Sequence, residues 1–252
     1  MDGSHGALTS LAASKSLAEE AYAVLRRAIM DGDPPPLARL GTAELSARLG
    51  LGTTPIREAL SRLAAEHMVV ALPQRGFRVA PLTAAELSDL LNLRLGFERE
   101  AVIVSMQARH PRWRLGVEEA LAALLRTTPP TPGQRSGELA DWNRAHDRFH
   151  EALMAGADLP WLQRFHRRTL DQIERYRAAM LRRHAVSDAP QADPRFTRLL
   201  GHAEHAEIAE AVLRGDNIRV DTMLDRHMRE AGAVFMALFA EAPGASGKGR
   251  AA

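Results

Sequence analysis

Four histidines carry the most suggestive chemistry in this chain: His146, His150, His205 and His227. His146 and His150 are four apart, so on a helix they share one face with Cβ atoms roughly 5–6 Å apart. His205 and His227 fall on two later segments with helical periodicity. Imidazoles arriving from three helices can surround one divalent cation. The chain has no cysteine, so the donors for a metal are His, Asp and Glu, compatible with Zn, Ni, Mn or Fe. Taken singly, each histidine reads more readily as a hydrogen-bonded member of a helical core; convergence on one point is what separates the two. His146-Asp-Arg-Phe-His150 also has the outline of the zinc-protease helix, with Asp where that motif has Glu. In such enzymes the carboxylate activates a metal-bound water. Aspartate is one methylene shorter and the third ligand lacks the usual spacing, so a metal-dependent hydrolase or lyase is the secondary reading.

A second group suits nucleic acid. Thr53, Thr54 and Arg57 stand at the start of a short helix, and Arg75 and Gly76 at the tip of a hairpin. Hydroxyls and helix N-terminal amides match phosphate oxygens, and arginine can grip phosphate or the O6/N7 edge of guanine. The plainer alternative is a solvated helix face.

The elements that must position these groups are mostly helices. Ser16-Leu-Ala-Glu19 has the pattern of a capping box and Gly32 that of a stop. They bracket a helix near 17–31 with Ala21, Val24, Leu25, Ala28 and Ile29 on one apolar stripe. Pro34-Pro-Pro36 predicts an extended connector. Thr42 to Leu49 reads as a short helix with Leu45 and Leu49 inward, ended by Gly50. Thr54 as N-cap and Pro55 as first helical residue open the next one, whose Ile56, Leu60 and Leu63 face inward. Two short helices about a Gly-containing turn form a helix-turn-helix. Met68–Leu72 and Phe77–Val79 are β-prone runs about a Pro73–Gly76 turn, which gives a two-stranded wing. Residues 16–81 thus have the order of a winged helix-turn-helix; a purely structural α+β domain is the alternative.

From Thr83 onward only helices are expected. Thr83-Ala-Ala-Glu86 opens a long helix to about Arg109, where His110-Pro111 stops it. A shorter helix follows over 111–125, then a Pro/Gly/Ser loop over 127–137. Further helices are predicted at about 138–156, 159–182, 194–214 and 217–240, with Asp158, Asp193 and Asp216 as starts. The fold class is mainly α: a winged helix-turn-helix followed by an all-helical bundle over 82–241. A flexible N-terminus over 1–15 and a disordered tail over 242–252 flank them.

Composition agrees with a folded protein: 252 residues, 46% apolar and 25% charged, room for one large domain or two modest ones. Without cysteine, disulfides, thiolate zinc sites, iron–sulfur clusters and cysteine nucleophiles are excluded. No apolar run approaches the roughly 20 residues that span a bilayer. The N-terminus has no basic segment followed by an apolar core of signal length, so a cytoplasmic protein is expected, with no membrane partner. Net charge is only +2, and Lys15 and Lys248 are the only lysines, so the basic side is almost all arginine. A charge this small neither demands nor forbids nucleic acid.

In order and type these residues resemble the GntR family of bacterial transcription regulators, in the FadR-like branch with an all-helical FCD effector domain. The resemblance runs from Ser16 to about Leu238. It rests on Tyr22, Leu25, Arg26, Ile29 and Gly32, on Leu40 to Leu45, on Thr54-Pro-Ile-Arg-Glu-Ala-Leu60 with Leu63, and on Pro73 to Val79. Later it rests on Leu93-Arg94 with Glu98 and Ala101, Phe149-His150 with Leu153, Glu204-His205 with Ile208, and His227. It implies DNA contacts by Thr53, Thr54, Arg57, Arg75 and Gly76. Family members usually carry Ser or Thr, then Arg, before the Thr-Pro; Gly52 and Thr53 stand there instead, which implies a different operator sequence. The resemblance also implies a divalent metal held by His150, His205 and His227, with His146 where the family has Asp or Asn. Asp147, about 100° round the helix, is the weaker substitute. Above the metal a small organic acid is expected, with Arg94 the candidate for its bidentate capture. A homodimer on a palindromic operator follows, since two recognition helices must enter major grooves about 34–36 Å apart.

Overall fold

Residues 4–129, 136–184 and 201–241 are described by a computed structural model. They fall into two compact units: the first runs to Thr83 and takes in Glu174–Arg182, and the second holds the other described residues.

In the first unit, helix α1 (Ser4–Met30) starts far upstream of the expected capping box, so Ser16 and Glu19 lie inside it. Beyond Gly6 the segment holds neither Pro nor Gly and is rich in Ala and Leu, so nothing in it stops a helix. The helix therefore runs through most of the stretch expected to be a flexible N-terminus. Gly32 provides the expected stop with φ 73°. Ala21, Leu25 and Ile29 are buried, whereas Val24, expected on the same stripe, is 44% exposed.

Strand β1 (Arg39–Leu40), helix α2 (Thr42–Leu49), helix α3 (Thr53–Ala65), strand β2 (Val69–Leu72) and strand β3 (Gly76–Val79) complete the winged fold. The sheet has three strands, not two: β3 lies between β1 and β2, antiparallel to both, with Leu40 opposite Phe77 and Val70 opposite Arg78. Two residues are too short a run to show alternation, so β1 gave no periodic signal. Helix α3 begins one residue earlier than expected, with Gly52 as N-cap, so Pro55 is its third residue; its missing N–H still removes one of the unsatisfied donors of the first turn. Gly50 ends α2 at φ 66° and Gly76 turns the wing at φ 81°. Ile56, Ala59, Leu60 and Leu63 of α3 are sealed against Leu25, Leu45, Met68 and Val79. That burial turns the other face of α3 outward.

The second unit is helical throughout its described residues: α4 (Ala84–Ala108), α5 (Pro111–Leu125), α6 (Ser136–Met154), α7 (Pro160–His184), α8 (His202–Arg214) and α9 (Asn217–Glu241). The last part of α7 belongs to the first unit, where Arg175 donates to the carbonyls of His67 (3.3 Å) and Ala80 (2.9 Å). His110, expected only as a stop for α4, also caps α5: its Nδ1 accepts from Arg112 N at 3.2 Å. Asp216 starts α9 as expected, its Oδ1 accepting from Arg219 N. The core joins Val102 and Met106, Trp113 and Val117, Phe149 and Leu153, Ile208 and Val212, and Val220 and Leu224. Gly156, just after α6, has no room for a Cβ: one built there would lie 3.0 Å from Ser105 Cβ and from Trp113 Cγ. Residues 130–135 of the expected loop, 194–200 of the expected helix and the tail over 242–252 lie outside the described residues.

Candidate functional site

Helix α6 places Trp142, His146 and His150 on one face by their four-residue spacing. Helices α8 and α9 bring His205 and His227 to the same point. One ligand atom from each of the four histidines lies within 4.8 Å of the others. His146 is the least buried of the four; the other three are sealed from solvent. The rings pack closely: His146 to His150 at 4.5 Å between centroids, His205 to His227 at 4.9 Å, and His150 to His227 stacked at 5.5 Å.

Hydrogen bonds from behind set which nitrogen His150 and His205 offer. His150 Nδ1 lies 3.2 Å from Oε2 of Glu98 and donates to it; His205 Nδ1 donates to the carbonyl of Gly201 at 2.9 Å. With Nδ1 protonated, Nε2 of each carries a bare lone pair, and both Nε2 atoms are buried without a hydrogen-bond partner. His227 Nδ1 is 3.7 Å from Oε2 of Glu204, and His146 Nδ1 is 3.7 Å from Oδ1 of Asp147, too long for hydrogen bonds but of the same polarity. Imidazoles backed by oxygens, with lone pairs left over, are the usual arrangement of metal-ligating histidines. To hold a cation, the four imidazole nitrogens, now within 4.8 Å of one another, would have to draw somewhat closer.

Charge agrees. Burial pushes His205 down to about 3, aided by His227 and His150 beside it. Burial holds His146 well below its ordinary value, with His150, His205, Arg94 and His227 adding to the effect. Burial lowers His150 too, against the pull of Glu98. Neutral imidazole is the form that ligates.

Behind the centre stands Glu98 of α4. Its Oε1 accepts from Arg94 Nε at 2.6 Å and from His166 Nε2 at 3.1 Å, while Oε2 accepts from His150. Burial alone would raise this carboxyl, but Arg94, His150 and His166 together hold it well below the usual carboxylate range. Arg94 spends only its Nε on Glu98, leaving its two Nη groups for another acceptor. It is close enough to His146 and His150 to depress both. Asp147 is half exposed, with its Oδ1 3.7 Å from His146 Nδ1, and its charge also acts on Arg94.

The chemistry of Glu98, Glu204, His166 and Trp142 escaped the sequence reading. The i,i+4 spacing of Arg94 and Glu98 was the one available signal; the others meet the centre only through tertiary packing. At the other candidate site, Thr53, Thr54, Arg57, Arg75 and Gly76 are all exposed, as a face open to a ligand requires.

Comparison with known proteins decides the family. Residues 17–79 match the family described as bacterial regulatory proteins, gntR family, and residues 89–230 match the FCD domain. The chain belongs to the GntR family. This GntR protein is a transcription regulator with a DNA-binding domain and an FCD effector-binding domain, not an enzyme, which sets aside the hydrolase or lyase reading of the His146–His150 segment. It is 29% identical over 209 residues to the transcriptional repressor GlaR of Escherichia coli, covering 83% of this chain and 91% of the relative. It is 25% identical over 228 residues to the repressor RspR of Escherichia coli, covering 88% and 90%. In fold it is similar to Escherichia coli McbR/YncC (TM-score 0.64, 20% identity, covering 88% of this chain and 98% of that one) and to a GntR transcriptional regulator of Rhodococcus (TM-score 0.63, 22% identity, covering 88% and 98%). Among the described residues no helix is long and apolar enough to cross a membrane.

Proposed function

We propose that this regulator binds a divalent cation through His146, His150, His205 and His227, and that a small organic acid seated over that cation sets its affinity for DNA. The observation that carries the reading is the convergence of four imidazoles from three helices, with the Nε2 atoms of His150 and His205 buried and unpaired. A bound cation supplies the positive charge that an oxygen ligand needs. Arg94, neutralised on one edge by Glu98, offers its free edge to a carboxylate. The donor set suits zinc or nickel better than manganese, because imidazole is a borderline ligand and manganese prefers oxygen.

On the DNA side, Thr53 and Thr54 contact phosphates at the N-terminus of α3, Arg57 reaches a base edge or phosphate, and Arg75 and Gly76 carry the wing to the backbone. The DNA-binding part is assigned to 16–81 and the effector part to 82–241, acting as a cytoplasmic homodimer on a palindromic operator. GlaR and RspR are repressors, and we extend that sense of regulation to this chain. Effector and DNA sites are linked by a coupling free energy, so DNA must change effector affinity by the same factor that the effector changes DNA affinity.

The test is a gel shift with operator fragments selected by the purified protein from random-sequence DNA. Zinc-loaded protein retains them, Arg57→Ala does not, and a small carboxylate alters retention only while His150 is intact. Retention by Arg57→Ala equal to that of the parent protein overturns the DNA assignment. A carboxylate response that survives His150→Ala overturns the metal assignment.

A further inference from the structure

Trp142 sits one turn before His146 on the same face of α6, 3% exposed, with its indole stacked on the His146 ring at 4.5 Å and 22° and edge-on to His205 at 6.4 Å. Its Nε1–H is buried and has no hydrogen-bond partner. The other buried tryptophan, Trp113, shows the ordinary solution: its Nε1–H is shared between the carbonyls of Ala152 and Leu153 at 3.0 and 3.1 Å. An unpaired donor in a dry site is destabilising unless something fills the role of acceptor.

The orphaned atoms around the centre include acceptors and a donor. The Nε2 atoms of His150 and His205 are acceptors, and a cation satisfies them. The indole N–H of Trp142 is a donor, and a cation alone does the opposite of satisfying it, since both present positive charge. A donor beside a cation site is completed when the cation brings an oxygen ligand with it. We infer that Trp142 is a ligand-recognition residue whose Nε1–H donates to an oxygen of a carboxylate bound at the four-histidine centre. This rests on the metal-bearing pocket proposed above and adds a recognition contact to it. The indole also walls the His146 side of the centre with an apolar face, so an acid with a short aliphatic body fits better there than a heavily hydroxylated one.

The experiment uses the full-length protein, with zinc as metal and acetate, lactate and malonate as probes. In the 15N-labelled protein three indole Nε1–H signals are expected, one per tryptophan. Zinc followed by a carboxylate moves the Trp142 signal downfield and slows its exchange with water; the Trp113 signal, already bonded, stays in place. Trp142→Phe keeps an aromatic ring over His146 and removes only the donor. It lowers carboxylate affinity about tenfold, the loss of one hydrogen bond to a charged acceptor, while zinc affinity stays within about twofold. The labelling experiment needs no variant, so it stands even where Trp142→Phe folds poorly. If zinc binds and none of the three acids perturbs the Trp142 signal, or if Trp142→Phe binds them as tightly as the parent, the inference is overturned and the metal centre survives. If zinc itself does not bind, the metal reading falls and takes the inference with it.

Discussion

His150 Nδ1 lies 3.2 Å from Oε2 of Glu98, and both side chains are sealed from solvent. The same carboxylate accepts from Arg94 and His166, so one buried acid fixes the orientation of a metal-ligand candidate and of the arginine assigned to effector capture. Glu98→Gln keeps the shape and one acceptor but removes the charge. Zinc affinity is expected to drop about 10–100-fold, the usual effect of losing such a backing group. Stability is expected to fall by about 3 kcal/mol, because the buried Arg94 then loses the carboxylate it is bonded to. Chelator competition and urea denaturation measure the two losses separately; unchanged zinc affinity would show that Glu98 does not orient His150.

His146 occupies the position where the family resemblance places Asp or Asn. Four neutral imidazoles favour nickel and zinc, whereas a carboxylate in the set shifts preference toward harder cations. His146→Asp should therefore retain a metal site while raising its manganese affinity relative to nickel by about tenfold. Metal competition followed by isothermal calorimetry reads that ratio. A variant with an unaltered ratio would place His146 outside the coordination sphere.

Most of this architecture was legible from punctuation. Gly32, Gly50 and Gly76 sit at the positive-φ positions where the sequence put stops and a turn, because a residue without Cβ is favoured there. The helix boundaries of α5 and α9 follow from His110-Pro111 and Asp216. What failed did so for local reasons. Ser16 and Glu19 have the right types for a cap, yet a helix-permissive stretch before them carries α1 on to Ser4. Strand β1 is two residues long and exists only because β3 pairs with it. At the centre, the histidines declared themselves by type and spacing, but their convergence depends on packing between α6, α8 and α9. His166 and Trp142 are ordinary residues in sequence; only the fold brings His166 to Glu98 and Trp142 to His146.

Arg57 and Arg75 are both exposed but should fail differently when changed. A wing-tip arginine on phosphate adds sequence-independent affinity, so Arg75→Ala should weaken binding to all sequences alike and reduce the salt slope by about one. Arg57→Ala, near the start of α3, should also relax base preference, at about 1–3 kcal/mol for the site it reads. Fluorescence anisotropy against matched and mismatched duplexes over a salt series separates the two. An Arg57→Ala protein that keeps its sequence preference would place that side chain on the backbone only.

Gly156 tests packing at the end of α6, the helix that carries His146 and His150. A methyl there meets Ser105 Cβ and Trp113 Cγ at 3.0 Å and Ser105 Cα at 3.1 Å, so helix backbone must shift. Gly156→Ala is expected to destabilise the protein by about 1–3 kcal/mol. Gly232→Ala, whose nearest neighbour would be Leu91 Cδ1 at 3.5 Å, should cost far less. Thermal unfolding of the pair reports the difference; equal melting temperatures would mean that the segment after α6 yields freely.

The metal-free protein should lose stability steadily as pH falls below neutrality. His205 is held near 3 in the fold against 6.5 when unfolded, and His146 and His150 are depressed as well. Between those limits the unfolded chain binds protons that the folded chain refuses, so acid favours unfolding. Each such histidine contributes a slope of about 1.4 kcal/mol per pH unit, beginning near pH 6.5 and continuing downward. Glu98 acts in the same direction lower down: its depressed carboxyl stabilises the fold above about 4.5, and that contribution is lost as pH drops through its folded value. Zinc at 100 times its dissociation constant should add about 2.7 kcal/mol at pH 7.5, and that gain too should vanish in acid because protons compete for the same lone pairs. Urea denaturation of stripped and zinc-loaded protein from pH 7.5 to 5 measures both slopes. A stripped protein equally stable across that range would mean that burial does not hold His146, His150 and His205 below their ordinary value.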